Sequence, residues 1–164
     1  MPIRRITVER NRLHFAAAHM ATFRGTCEPL HGHNYMVMVD LEGELTADSW
    51  VWDFGELKAA TKSICDDLDH KFLLQRESRF LTVAEHATEW EVSFPGAGRY
   101  VFPKSDVAVL PIDNTTAERL SEYIAGRLTE AIRASGLSSA SRLTVGVEEM
   151  PGQTGWYTTE LSLL

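Results

Sequence analysis

Nowhere does the sequence hold an apolar run near the roughly 18 residues that a bilayer-spanning helix needs, so no membrane partner is expected. Its opening, Met1-Pro2-Ile3-Arg4-Arg5-Ile6-Thr7, carries charge with no apolar stretch behind it, which predicts an unexported, cytoplasmic protein. Cysteine is scarce: Cys27 and Cys65 are too few for a secreted disulfide framework, and each thiol is left for chemistry or packing. Basic excess is missing as well. With a formal net charge of -7 there is no general field to hold a polyanion, and nucleic acid is not an expected partner. Internal repeats, low-complexity tracts and linker-like stretches are also lacking. What remains is 164 residues at 44% hydrophobic content, which predicts a single domain over 1–164 with a real core.

Extended-type residues run from Thr7 to His14 and from Tyr35 to Glu44, the second stretch alternating Tyr35, Val37, Val39 and Leu41 with more polar neighbours. These two are expected to pair as antiparallel strands across a structured loop containing Gly25, Pro29 and Gly32. Asp53 with Glu56 marks a helix start, and Phe54, Leu57, Ile64 and Leu68 give an apolar stripe, predicting a helix over 54–68. Thr115 with Glu118 marks a second, ahead of Ala117, Leu120, Ile124, Leu128 and Ala131, with Gly136 placed to end it. Between the helices, Glu89–Phe94 and Tyr100–Val109 predict an inserted hairpin around Pro95-Gly96-Ala97-Gly98. Leu143–Glu149 and Trp156–Leu161 close the chain as two strands joined across residues 151–155. The order is that of an α+β fold with an antiparallel sheet.

His31-Gly32-His33 stands at the entry to the second strand, where residues two apart project to one face and both imidazoles can turn to one ion. His19, at the end of the neighbouring strand, would complete a set of three. Neutral imidazole suits zinc, and three protein ligands leave the fourth position open for water or substrate, the arrangement of catalytic sites. Two rivals stand beside this reading. A His-x-His pair also occurs on ordinary surface strands, and Cys27 as a fourth ligand would make a closed structural site.

Cys27 lies in Cys27-Glu28-Pro29-Leu30-His31-Gly32-His33, so a folded loop can bring its sulfur towards a bound cation, which would raise its thiolate fraction. The alternative is a small buried hydrophobe, which suits Cys65 better. Asp69-His70 follows the first helix, and a carboxylate orienting an imidazole makes a proton donor or acceptor near neutral pH; a histidine after a helix is also favoured by the helix dipole alone. Glu149, at a strand end, can accept two parallel N–H bonds from an amino-pyrimidinone ring, or remain a solvated acid.

Phe15-Ala16-Ala17-Ala18-His19, Cys27 through Asn34-Tyr35, Asp53-Phe54 with Leu57-Lys58, Leu68-Asp69-His70, Thr116-Ala117-Glu118 and Val147 through Pro151 together resemble the family of 6-pyruvoyl-tetrahydropterin and 6-carboxytetrahydropterin synthases. The match covers most of the chain apart from roughly residues 76–112. The resemblance implies a tunnelling fold: an antiparallel four-stranded sheet with two helices on one face, assembled as a homo-oligomer. That oligomer would be a hexamer made as a dimer of trimers, with sites between subunits. It implies zinc on His19, His31 and His33, gripping the side chain of a reduced pterin triphosphate; Cys27 as thiolate base; and Asp69 with His70 as a second proton relay. Glu149 would anchor the pterin, helped by the Thr116 backbone, with Glu118 nearby. The expected reaction takes 7,8-dihydroneopterin triphosphate to 6-carboxytetrahydropterin, the family's step towards queuosine and other deazapurines.

Several residues depart from the family pattern. Glu28 follows Cys27 directly, and glutamate near this point resembles enzymes that cleave the side chain to a 6-hydroxymethyl product for folate, so Glu28 joins the substrate-binding candidates. A 6-pyruvoyl product is the other alternative, and a zinc-stabilised module without activity is the rival of a different class. Arg119, Met150 and Met20 replace the usual Asn, Thr and a basic residue. Triphosphate needs positive partners, for which Arg24, Lys71 and Arg76 are candidates by position. The stretch 86–111 is longer than a simple connection and is expected to serve as a flap or an assembly contact.

Overall fold

The computed structural model describes residues 2–96 and 98–161. Two long strands, β1 (Arg4–His19) and β4 (His31–Gly43), form the middle of the sheet, with the short pair β2 (Thr22–Phe23) and β3 (Thr26–Cys27) on the loop between them. Helix α1 (Phe54–Leu68) follows, then β5 (Lys71–Gln75), β6 (Thr82–Glu85), β7 (Glu89–Ser93), β8 (Arg99–Pro103) and β9 (Val107–Leu110). Helix α2 (Ala117–Ala134) leads into β10 (Ala140–Met150) and β11 (Gln153–Glu160).

The main sheet has six strands in the order β11-β10-β4-β1-β5-β9. Strands β11-β10-β4-β1 pair antiparallel, but the sheet is larger and mixed rather than the four-stranded antiparallel one expected. The expectation fell short at the other side, where β5 pairs with β1 and β9 with β5, both in parallel. Phe72-Leu73-Leu74 is a short apolar run buried throughout, and such runs give no alternation by which to recognise a strand. The insertion is likewise more than a hairpin: β6, β7 and β8 form a separate three-stranded antiparallel sheet.

Both helices cover one face of the main sheet. Leu57, Ile64 and Leu68 of α1, and Leu120, Ile124 and Leu128 of α2, share one apolar cluster with Phe15, Tyr35, Val37, Val39, Leu143 and Val145. Helix α1 begins where expected, with the Asp53 carboxylate accepting from the Glu56 N–H at 3.0 Å. Helix α2 begins one residue later than the sequence suggested, because its cap is Thr116 and not Thr115. Thr115 is withdrawn into the interior, where it is fully buried. Gly136 closes α2 with φ +74°, the left-handed conformation that glycine adopts without penalty. The final turn is tighter than expected: Gln153 already pairs with Met150, leaving Pro151-Gly152 as the connection.

The insertion packs behind the β2–β3 loop. Phe72, Leu74, Met20, Trp90 and Val92 form a second apolar cluster, and Phe102 stacks on Phe72 at 4.3 Å between ring centroids.

Candidate metal centre and adjoining cavities

Strand register brings the three histidines together. Antiparallel pairing of β1 with β4 sets His19 opposite His31 and Ala17 opposite His33, so the rings of His19, His31 and His33 project from one face at one end of the sheet. Their centroids stand 4.5 to 5.2 Å apart, and one ligand nitrogen from each lies within 4.8 Å of the others.

Hydrogen bonds aim two of these rings. His31 Nδ1 lies 2.8 Å from the Pro29 carbonyl and His19 Nδ1 lies 3.0 Å from the Thr115 carbonyl. A carbonyl only accepts, so in each ring Nδ1 carries the proton and Nε2 keeps a bare lone pair. Those two Nε2 atoms face each other at 3.1 Å. Bare lone pairs this close repel unless a cation lies between them, and ligands about 2.0–2.1 Å from a tetrahedral zinc stand roughly 3.3 Å apart. Burial, opposed by the Thr115 hydrogen bond and helped by the other two histidines, pulls the His19 pKa down to about 4, so this ring is neutral and ready to ligate. The donor set fits zinc with one position open. Cys27 is not part of the convergent group, which argues against a closed four-ligand site.

A cavity of about 490 Å³ opens beside the histidines and is lined also by Glu28, Thr116, Ala117, Glu118, Glu149 and residues 153–155. Glu28 Oε2 lies 3.9 Å from His31 Nε2. Glu149 is half-buried, and its burial pushes the carboxyl above the usual range, with His33 opposing. The N-terminus of α2 forms one wall, its Thr116 side chain accepting from the Arg119 N–H.

Residues 153–155 were not anticipated. Gly155 lets β11 pass against the start of α2, since a Cβ there would meet the Glu118 nitrogen at 2.5 Å and the Ala117 carbonyl carbon at 2.6 Å. A glycine inside a strand is the signal for such a close approach.

Other expected groups lie elsewhere. Cys27 faces a separate cavity of about 270 Å³ with Met20, Leu81, Val92, Phe94 and Tyr100, on the insertion side of its loop. Burial, then the neighbouring Glu28, pushes its thiol up. Cys65 is the buried hydrophobe expected, pushed up to about 12 by burial. Asp69 and His70 form the expected pair, Oδ2 to Nδ1 at 2.8 Å. Asp69 also accepts from the Ala16 N–H at 2.7 Å, the main reason its carboxyl sits below the usual range. His70 has φ +56° and a largely exposed ring. It lines a different cavity, with Asn34, Lys71 and Phe102, that shares only His33 with the histidine cavity. Of the cationic candidates, Arg24 lies over the Phe23 ring and Lys71 donates to the Ser105 carbonyl. Neither these two nor Arg76 lines the histidine cavity.

A family model described as 6-pyruvoyl tetrahydropterin synthase matches residues 7–160. A relative from Methanocaldococcus jannaschii, provisionally named as a 6-carboxy-5,6,7,8-tetrahydropterin synthase, is 34% identical over 155 residues, 92% of this chain and 94% of its own. A Haemophilus influenzae protein of that name is 29% identical over 113 residues, covering 63% of this chain and 68% of its own. Among solved structures, a Plasmodium vivax 6-pyruvoyltetrahydropterin synthase variant, with a catalytic glutamate replaced by alanine, superposes with a TM-score of 0.92 at 32% identity, covering 98% of this chain and 99% of that one. The Plasmodium falciparum enzyme of that name gives 0.90 at 30%, covering 96% and 98%. Matched from its first strand to its last, and carrying the convergent histidines, the chain belongs to the 6-pyruvoyl tetrahydropterin synthase family.

Proposed function

We propose that this chain is a zinc-dependent lyase that converts 7,8-dihydroneopterin triphosphate to 6-carboxy-5,6,7,8-tetrahydropterin. The observation that carries the reading is the single cavity shared by His19, His31, His33 and Glu149. The curated relatives' names support the choice of product. Zinc held by the three histidines would supply Lewis-acid polarisation of the substrate's side-chain oxygens.

The protein's own groups do the rest. Glu149 accepts paired N–H bonds from the pterin ring, and the start of α2 at Thr116 and Ala117 borders the ring's edge. Proton transfer at the side chain falls to Glu28, which lines the histidine cavity, and not to Cys27, which lines only the neighbouring one. Asp69 orients His70 as a second donor or acceptor. Because that pair opens on another cavity, a second copy of the chain is needed to complete the site. The half-exposed Trp156 and Met150 beside the free sheet edge at β11 support a homo-oligomer, and a dimer of trimers is the assembly the resemblance favours.

The position of Glu28 favours one second reading, cleavage of the side chain to a 6-hydroxymethyl pterin. Mass spectrometry of the product formed from 7,8-dihydroneopterin triphosphate decides between them. The carboxylated product is expected; a 6-hydroxymethyl product transfers the conclusion to the second reading, and no turnover overturns both.

A further inference from the structure

Behind His19 runs a buried hydrogen-bond chain with a fixed direction. It starts at Asn114, whose Oδ1 accepts from the Thr22 N–H at 2.9 Å and the Thr115 N–H at 3.0 Å, while its Nδ2 donates to the Thr22 carbonyl at 2.8 Å. Backbone groups cannot exchange roles, so they set the orientation of this amide. Gln75 Nε2 then points to Asn114 Oδ1 at 3.5 Å, which turns Gln75 Oε1 towards Thr115. The Thr115 hydroxyl gives its proton to that Oε1 at 2.7 Å. Its oxygen therefore has only lone pairs to offer His19 Nδ1, 3.2 Å away.

This matters because a hydroxyl can play either role. A Thr115 hydroxyl freed from Gln75 would donate to His19 Nδ1, competing with the Thr115 carbonyl, and would select the tautomer with the proton on Nε2. That tautomer has no lone pair facing His31 and cannot ligate. Gln75, Thr115 and His19 are 1%, 0% and 1% exposed, so solvent does not rescue a wrong choice. An amide buried at this point, directly after the buried Leu73 and Leu74, is otherwise costly.

We propose that Gln75 is a positioning residue for the metal centre: by holding the Thr115 hydroxyl proton, it keeps His19 in the tautomer whose Nε2 is bare. The inference rests on the zinc reading above, and its test separates the two.

The experiment compares wild type, Gln75→Met, Thr115→Val and the double variant, each as full-length protein. Zinc affinity is measured by chelator competition, and the His19 tautomer in the zinc-free protein by ¹⁵N-resolved NMR. Gln75→Met is expected to weaken zinc about 10-fold or more, the usual scale for losing an outer partner of a metal histidine, and to show protonated Nε2. Thr115→Val keeps the carbonyl as sole acceptor and is expected to bind zinc as wild type does. Adding Thr115→Val to Gln75→Met removes the competing hydroxyl and restores affinity; two partners replaced together by apolar groups of like shape also fold with little cost. A merely structural Gln75 predicts losses that add. Wild-type affinity and tautomer in Gln75→Met, or a double variant as weak as that single one, would overturn the proposal. Gln75→Leu repeats the comparison with a different shape. A wild-type protein that binds no zinc sinks the metal reading, while the tautomer measured without zinc still decides the role of Gln75.

Discussion

Cys27 and Glu28 are neighbours in sequence and both line the smaller cavity, but only Glu28 also lines the histidine cavity. Strand β3 ends at Cys27, and the chain leaves it with the Glu28 N–H donating to the Ala21 carbonyl at 2.9 Å. That turn sends the thiol among Met20, Leu81 and Val92, and the carboxylate towards His31. The carboxylate of Glu28 thus stands nearer the histidine cavity than the thiol expected to be the base.

The first prediction compares the two. Glu28→Gln keeps size and polarity but cannot take a proton, and is expected to lower kcat by ~10²-fold or more, the range for a positioned base. Cys27→Ala is expected to change kcat by less than about 10-fold on the same scale. Zinc content measured in parallel should be unchanged in both. The reverse ranking would return the base role to Cys27.

For Glu149, loss of pterin affinity without loss of metal is the expected result. Glu149→Ala removes an acceptor of two bonds, each worth about 1.5–3 kcal/mol when one partner is charged, so a fluorescence titration should show at least ~10²-fold weaker pterin binding. Wild-type affinity would place the ring elsewhere in the cavity.

How much of this was legible in the sequence depends on how local each feature is. Helix α1 was, from Phe54 to Leu68, because Asp53 caps it and its apolar stripe is regular. The histidine set was legible too, since strand alternation and one pairing suffice to converge it. Strand β1 runs further than its composition suggested: Ala16, Ala17 and Ala18 are poor strand formers, and their pairing with Asn34, His33 and Gly32 holds them extended. Thr115 and Thr116 are alike as caps until the fold consumes one of them for His19. The reach of Glu28 but not Cys27 into the histidine cavity, the Gln75 chain and the separation of His70 from that cavity depend on long-range contacts that no spacing records.

Gly155 offers a test of how the cavity is walled. Gly155→Ala places a methyl group against the backbone of Ala117 and Glu118, atoms that cannot swing aside as a side-chain tip would. Strand β11 must then move away from α2, at about 1–3 kcal/mol, as for other overpacking changes. A lower Tm and weaker pterin binding are expected together. A variant with wild-type Tm and affinity would show that the wall yields freely.

Acid sensitivity of the zinc-free protein is the last prediction. Burial is the main cause that pulls His19 from 6.5 to about 4, so between those values the unfolded chain binds a proton that the folded chain does not. Stability rises with pH wherever the unfolded state holds more protons, so this contribution is intact above about pH 6.5 and is lost on acidification towards pH 4. The two values imply a loss of about 3 kcal/mol across the window, at about 1.4 kcal/mol per pH unit. Urea unfolding in the presence of a chelator, at a series of pH values from neutral down to about 5, measures it against His19→Asn, which has no such proton to bind. Wild type should lose stability on acidification more steeply than the variant by that slope. Parallel curves would mean that the His19 ring takes up its proton inside the fold as readily as outside it, and the neutral ligand argued for the metal centre would then have no electrostatic basis.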